Sequence, residues 1–446
     1  MASAAEQLAA NINLNAFSKA TELHKRLWFT LVAMIVYRIG TFIPIPGIDI
    51  ARFSALFQGQ AKGILGMVDM FSGGAVQRMA IFALNVMPYI SASIIVQLLG
   101  TVYPPWEKLR KEGGEAGRKQ MNQYTRYLTV VLALFQSFGI AVGVNSYGYT
   151  PGLFFIISTM ATLTGGTLFL MWLGEQITAR GVGNGVSLII MAGIVARLIP
   201  GIISLLSSAH VGSINPSILA LVAVGAPAII IFIVFIERSQ RRLLIQYPKR
   251  QMGNRMFGGE TSFLPLKLNT AGVIPPIFAS SLLLMPMTAM NFLAKTTLPP
   301  WAGWVPGVVG QLQHGQPTFM LAYALLIVFF SFFYTSIVFP PDDTAENLRK
   351  YGGFLPGIRP GRRTAEYLDY VLTRLTVIGA AYITVVCLIP ELLMSQVGTQ
   401  LAFGGTSILI MVTVTIDTWT QIQSHLLQHQ YEGLIRKSKL RGGRRR

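Results

Sequence analysis

Two short motifs each occur twice in this chain, and both hold isoleucine in a fixed slot. "PYISAS" at 88–93 and "PPIFAS" at 275–280 share P-x-I-x-A-S and align Ile90 with Ile277. "GVSLII" at 185–190 and "GTSILI" at 405–410 share G-x-S before three aliphatics and align Ile190 with Ile410. Helical spacing puts Val86 one turn before Ile90 and Val186 one turn before Ile190, on the same faces. Any one of these six side chains suits ordinary packing or contact with lipid. Together they predict a collar of branched aliphatics around a pore, closed by the exclusion of water. Having no hydrogen-bond donor or acceptor, the collar suits an extended chain of varied chemistry better than a selected ion.

Conventional reactive sets are missing from the sequence. There is no HExxH, no GxSxG and no pair of intramembrane aspartates, and the five histidines lie outside mid-span positions. The single cysteine, Cys387, excludes an intrachain disulfide and a two-cysteine metal motif. Without a Walker motif, the energy for directed movement must come from a partner. The sequence therefore predicts no catalytic residues, no cofactor and no metal site.

The elements that must position the collar are membrane helices. Of 446 residues, 52% are hydrophobic and only 12% charged, against about 25% charged in a soluble domain. Ten apolar runs stand at 24–43, 77–100, 123–143, 151–172, 183–206, 216–236, 270–290, 317–339, 371–391 and 402–424. Each has about the twenty residues that cross ~30 Å of hydrocarbon. Strand alternation is weak and Gly and Pro fall inside several runs, so they read as helices, some kinked. The first run is interrupted by Arg38 and followed by no small-residue cleavage site, so it reads as a retained span rather than a signal.

Both motif pairs are five runs apart. Five is odd, so the second half must enter the membrane from the opposite side, an inverted repeat with its pseudo-twofold axis in the membrane plane. The expected fold is an all-α polytopic membrane protein, with ten transmembrane helices in two inverted five-helix halves around a central pore. Its parts are an N-terminal segment 1–23, halves at 24–206 and 207–424, and a basic tail at 425–446.

The formal net charge is +18, and its distribution says more than its size. With both termini cytoplasmic, thirty of the 36 lysines and arginines fall on the cytoplasmic side, the positive-inside signature. Arg38, Arg52, Lys62, Arg78, Arg197 and Lys295 lie in spans or on the other side. Two cytoplasmic segments, 237–269 and 340–370, combine turns, arginines and apolar residues such as Leu264 and Phe354. Their length predicts docking of a partner with acidic patches or phosphate.

The stretch "GILGMVDMFSGG" at 63–74 is apolar but too short to span. Ile64, Leu65, Met67, Val68 and Met70 supply one or two turns that could fold back under the collar. Ser72-Gly73-Gly74 supplies a hinge, and Asp69 stays at the wet end. A movable stopper and an ordinary re-entrant segment both fit this pattern. A secondary transporter also uses inverted repeats. It normally needs ionisable groups at mid-depth, whereas Glu175, Glu237 and Asp417 fall near cytoplasmic span ends.

"MFSGGAVQRMAIFALNVMPYISASII", "MWLGEQITARGVGNGVSLIIMAGIV", "LPLKLNTAGVIPPIFASS", "FFYTSIVF", "PGIRPG" and "FGGTSILI" closely resemble the SecY family, the channel subunits of the bacterial protein-export translocon. The resemblance runs in order from about residue 20 to 437. It implies a channel that passes unfolded preproteins across the inner membrane and releases membrane segments sideways into lipid. It puts the pore ring at the same six residues, Val86, Ile90, Val186, Ile190, Ile277 and Ile410. It also implies a plug at about 63–71, comprising Ile64, Leu65, Met67, Val68, Asp69, Met70 and Phe71.

A lateral gate is implied near Ser91, Gln97, Thr125 and Asn269, where weak interhelical hydrogen bonds suit a seam that opens. Docking of the motor SecA and of the ribosome is implied at Arg241, Arg242, Arg250, Arg255 and Arg359. Further implied partners are SecE, SecG, preprotein signal sequences, YidC, SecD/SecF and the lipid bilayer. The implied location is the bacterial inner membrane, multi-pass, with both termini cytoplasmic. The chain departs from the family pattern at Asn254, where paired basics are usual, and at Val86 and Val186, where isoleucine is common. Asp69 stands where related plugs have a neutral polar residue.

Overall fold

The computed structural model describes residues 21–54, 69, 71–211, 216–247, 250–252, 255–257, 261–293, 307, 310–311, 316–397 and 405–442. Every one of the ten apolar runs carries a helix. In the first half these are α1 (Thr21–Gly40), α2 (Met87–Val102), α4 (Gly114–Val144), α5 (Leu153–Arg180) and α6 (Gly185–His210), with α3 (Pro104–Glu112) between α2 and α4. In the second half they are α7 (Pro216–Arg238), α8 (Ile274–Leu293), α9 (Pro317–Val338), α11 (Arg362–Val397) and α12 (Gly405–Gly442), with α10 (Pro341–Lys350) before α11. Helical segments within α5, α6 and α11, and segments beginning with α4 and α9, are long and apolar enough to cross a membrane. Helix continues through Pro200, Pro227, Pro286 and Pro390, so proline is accommodated inside four of the expected spans.

The chain packs as two units, Met1–Pro200 with Val414–Arg446, and Gly201–Thr413. In the first unit, α4 shows why the helices associate. Thr125, Thr129, Ala133, Ser137 and Ala141 recur every fourth residue and are buried, while Tyr127, Val131, Phe135 and Phe138 are exposed. Small and hydroxyl side chains face protein and large apolar ones face outward, the pattern of helices whose solvent is lipid. The Ser137 and Thr164 hydroxyls join α4 to α5 at 3.0 Å, and Thr129 Oγ1 donates to the Thr125 carbonyl at 2.7 Å.

The second apolar run corrects the sequence reading. It is not helical from residue 77. Residues 73–86 form successive turns, and α2 begins only at Met87. Met79 and Asn85 adopt left-handed backbone (φ 46° and 49°), which a continuous helix forbids. Pro88 then occupies the first turn of α2, where its missing N–H costs nothing. The turns still satisfy their backbone, since Ile45 N donates to Met79 O and Ile81 N to Ile43 O, each at 2.9 Å. Val76, Met79, Ala83 and Leu84 pack with Ile45, Ile48, Phe53 and Phe155 in one apolar cluster.

The second unit holds a further correction. The two long segments at 237–269 and 340–370, read as connections, fold together, the first of them carrying strands. β1 (Gln240–Gln246) pairs antiparallel with β4 (Thr261–Lys267), Leu243 opposite Leu264, and β2 (Arg250–Met252) pairs with β3 (Arg255–Phe257). Gln246 exchanges two backbone hydrogen bonds with Phe354 (2.9 and 3.0 Å), tying the hairpin to the second segment. Leu243, Ile245 and Leu266 share a core with Ala345, Leu355, Ala365, Leu368 and Leu372. Leu368 is fully buried (0% exposed), so Leu368→Ala should cost this platform about 2–5 kcal/mol. Limited trypsin digestion should then cut faster at Arg241 and Arg242 while membrane insertion is kept; an unchanged cleavage rate would contradict the shared core.

Candidate functional site

Of the residues expected to form a plug, Ile64, Leu65, Met67, Val68 and Met70 lie outside the described residues. Asp69 and Phe71 are placed, and both are buried (2% and 5% exposed). The root of the segment is folded by its own hydrogen bonds. Gly74 N donates to Asp69 O at 3.0 Å, Ser72 Oγ donates to the same oxygen at 3.1 Å, and Val76 N donates to Ser72 Oγ at 3.4 Å. Gly73 and Gly74 have φ of +67° and +91°, a left-handed pair that reverses the chain. A Cβ on Gly73 would sit 2.9 Å from Gly193 Cα of α6, so the backbone contact itself requires glycine.

Side chains from three other elements close on this root. The Asp69 carboxylate forms an ion pair with Arg197 of α6 and accepts a hydrogen bond from Gln77 N at 2.8 Å. Arg197 Nη2 also donates to Gln77 Oε1 at 3.0 Å. From α1, Tyr37 OH donates to Ser72 O at 3.3 Å and Arg38 Nη1 to Gly73 O at 2.8 Å. Asn85 Nδ2 donates to Phe71 O at 2.7 Å, and its left-handed backbone leads directly into Val86. The Arg38 and Arg78 guanidinium groups stack on the Phe42 ring, with Cζ 4.8 and 4.1 Å from its centroid. A buried carboxylate in an apolar wall needs a cation, and Arg197 supplies it.

The residues expected to form a collar fall at helix beginnings. Val86 caps α2, and Ile90 N donates to its carbonyl at 3.0 Å, so the two stand one turn apart as their spacing predicts. Val186 and Ile190 occupy the first turns of α6, Ile277 the first turn of α8 and Ile410 the second turn of α12. Val86, Ile90, Ile190 and Ile410 are buried, while Val186 and Ile277 are half-buried.

The four polar residues expected at a lateral gate are all bonded or buried inside their own units. Ser91 is buried in α2. Gln97 Nε2 donates to Ser93 Oγ (3.0 Å), one turn back on the same helix, and Thr125 Oγ1 donates to Met121 O (3.0 Å). Asn269 Nδ2 donates to the buried Glu237 carboxylate at 2.6 Å and its Oδ1 accepts from Gly272 N at 3.0 Å, fixing the entry to α8. Of the basic residues, Arg241 and Arg242 stand exposed on β1, and Arg359 is exposed on the turn before α11. Arg250 and Arg255 lie on the inner strands β2 and β3, Arg255 opposite Met252.

The spacing argument did not reach Arg38, Asn85 and Arg197. The signal was present for the arginines, since an ionisable side chain within a span is a functional candidate by default. Nothing in the sequence marked Asn85, whose role depends on a backbone angle.

A family model for SecY matches residues 80–419 of this chain. "Protein translocase subunit SecY" of Rickettsia conorii is 51% identical over 434 residues, which is 95% of this chain and 99% of that protein. Among solved structures, "The structure of a protein conducting channel" matches with a TM-score of 0.66 at 18% identity, over 90% of this chain and 92% of that one. "Sec61 in the Canine ribosome-channel complex from the endoplasmic reticulum" matches with a TM-score of 0.63 at 18% identity, over 90% and 92%. Half-identity along nearly the whole length of a curated relative, on a channel fold of ten spans in two halves, leads to one conclusion: the chain belongs to the SecY family of protein-conducting channel subunits.

Proposed function

We propose that the six aliphatics form the waist of the channel and that residues 63–71 plug it in the resting state. The observation that carries this reading is the turn-rich stretch 73–86. Non-helical backbone within an apolar run is tolerated only where protein or a cavity surrounds it, never against lipid. Here that stretch is buried, leads from the plug root to Val86, and ends where the helix bearing Ile90 begins. It is the expected geometry of a segment lining an interior. Branched aliphatics at such a waist seal around any extended chain without preferring its chemistry.

On this reading the halves are 24–206 and 207–424, and their seam, near Ser91, Gln97, Thr125 and Asn269, opens toward lipid. The hydroxyl and amide groups of Gln97, Thr125 and Asn269 keep their hydrogen bonds within their own units, which suits a seam that parts. The exposed arginines of the hairpin platform and of the turn at Arg359 receive a cytoplasmic driver, SecA or the ribosome. The location proposed is the inner membrane with both termini cytoplasmic, with SecE and SecG as companions. Signal sequences, YidC and SecD/SecF would engage the same assembly.

Cysteine placed in turn at Val86, Ile90, Val186, Ile190, Ile277 and Ile410 should crosslink to a stalled translocating chain. Labelling by lipid-phase probes alone would refute the waist. Arg359→Glu should lower SecA-driven preprotein export at least about tenfold, the scale of a lost charge-assisted contact, with assembly unchanged. Export at the native rate would remove Arg359 from the docking surface.

A further inference from the structure

We infer that Asp69 and Arg197 form an ionic latch that holds the plug in its resting position, and that opening must break this pair. The inference rests on the plug reading and adds to it the contact that sets how firmly the plug is held. Three features of the root carry it.

The pair is enclosed. Asp69 is buried, and the Arg197 side chain is 28% exposed, so water screens their attraction far less than that of a surface pair. It also joins the two parts that must separate. Asp69 belongs to the plug, whereas Arg197 is fixed in α6 and braced by Gln77 on the turn-rich stretch. Finally, the charges around the root are unequal. A Cβ on Gly74 would lie 3.4 Å from Arg197 Nε and 3.5 Å from Arg78 Nη1, and one on Gly73 would lie 3.2 Å from Arg38 Nη1. Three guanidinium groups thus converge on the diglycine, and Arg78 Nη1 is buried without a hydrogen-bond partner.

Asp69 is the carboxylate seated among them. When the plug leaves, those three cations lose it together, and their mutual repulsion adds to the pull that recaptures Asp69 when the translocating chain has passed. The hydrogen bonds from Tyr37, Arg38 and Asn85 go to backbone carbonyls of residues 71–73, so a changed side chain there leaves them intact. Asp69 is the position whose side chain decides the strength of the hold.

The loss of either partner has different consequences. Asp69→Asn removes the negative charge and leaves Arg197 partly solvated. Arg197→Gln strands a buried carboxylate, which is the more costly outcome.

The test uses the channel with its small subunits, reconstituted in vesicles at equal channel density, and reads resting halide leak without preprotein. D69N should raise the leak about tenfold or more and R197Q at least as much, the scale expected when one partner of an enclosed pair is removed. D69N/R197Q should leak no more than R197Q, because the second change removes the stranded charge. A D69N leak within about twofold of the native channel would overturn the latch. So would a double variant whose effect is the product of the two singles, the signature of independent sites. Should D69N fail to assemble, the comparison of R197Q with the double variant decides the question alone. Deleting 63–68 separates the two readings. A leak on deletion with none in D69N overturns the latch and keeps the plug, whereas no leak on deletion overturns both.

Discussion

A carboxylate enclosed by apolar side chains must have a cation, and the surroundings of Asp69 are built around that need. Arg197 answers it from α6, and in doing so fixes where α6 stands against the stretch between α1 and α2. Gln77 bridges both partners, which holds the first turn of that stretch in place. The chain must then travel to the start of α2 without forming helix, because the anchors at Ser72, Gly73 and Phe71 point to α1 and to Asn85. Left-handed backbone at Met79 and Asn85 is the conformational cost of that path. Val86 and Ile90 take their positions from its end.

The same chain meets two solvents and packs differently for each. In α4 and α9 the buried faces carry threonine, serine and alanine or aromatic rings, and hydroxyls return to carbonyls four residues back, as Ser331 and Thr335 do. Large aliphatics look outward because lipid does not penalise them. The platform formed by β1, β4 and the residues around Leu368 reverses this arrangement. Its leucines point inward and its arginines outward, as in any domain that folds in water. The boundary between the two regimes passes near Glu237 and Asn269, where a buried carboxylate–amide bond joins the end of α7 to the approach of α8.

Hydropathy located a helix in each of the ten apolar runs, although the second run is helical only from Met87. The paired motifs single out Ile90, Ile277, Ile190 and Ile410 from the sequence alone, and each stands in the first or second turn of its helix. Spacing then added Val86 correctly as a neighbour of Ile90, one turn away. What escaped were features set by tertiary partners. The late start of α2 depends on Asn85 reaching back to Phe71, a contact fourteen residues away that no local pattern announces. The hairpin platform depends on Leu243 and Leu266 finding Leu368, more than a hundred positions from either strand's turn signals. Asp69 looked like a charge left at a wet edge because its partner, Arg197, stands in a different span.

These observations bear on how one channel can be tight at rest and indifferent to its cargo. Aliphatic contacts are non-directional and of similar strength whatever they touch, so a collar made only of valine and isoleucine has no means of preferring its own plug over a passing chain. Preference must come from elsewhere. On the proposed reading the root of the plug supplies it through directional bonds set by its own fold: a carboxylate on Arg197, and carbonyls met by Tyr37, Arg38 and Asn85. On that reading sealing and recognition fall to different residues. A collar so proposed can remain chemically blank, while the proposed root specifies which segment belongs in the closed pore.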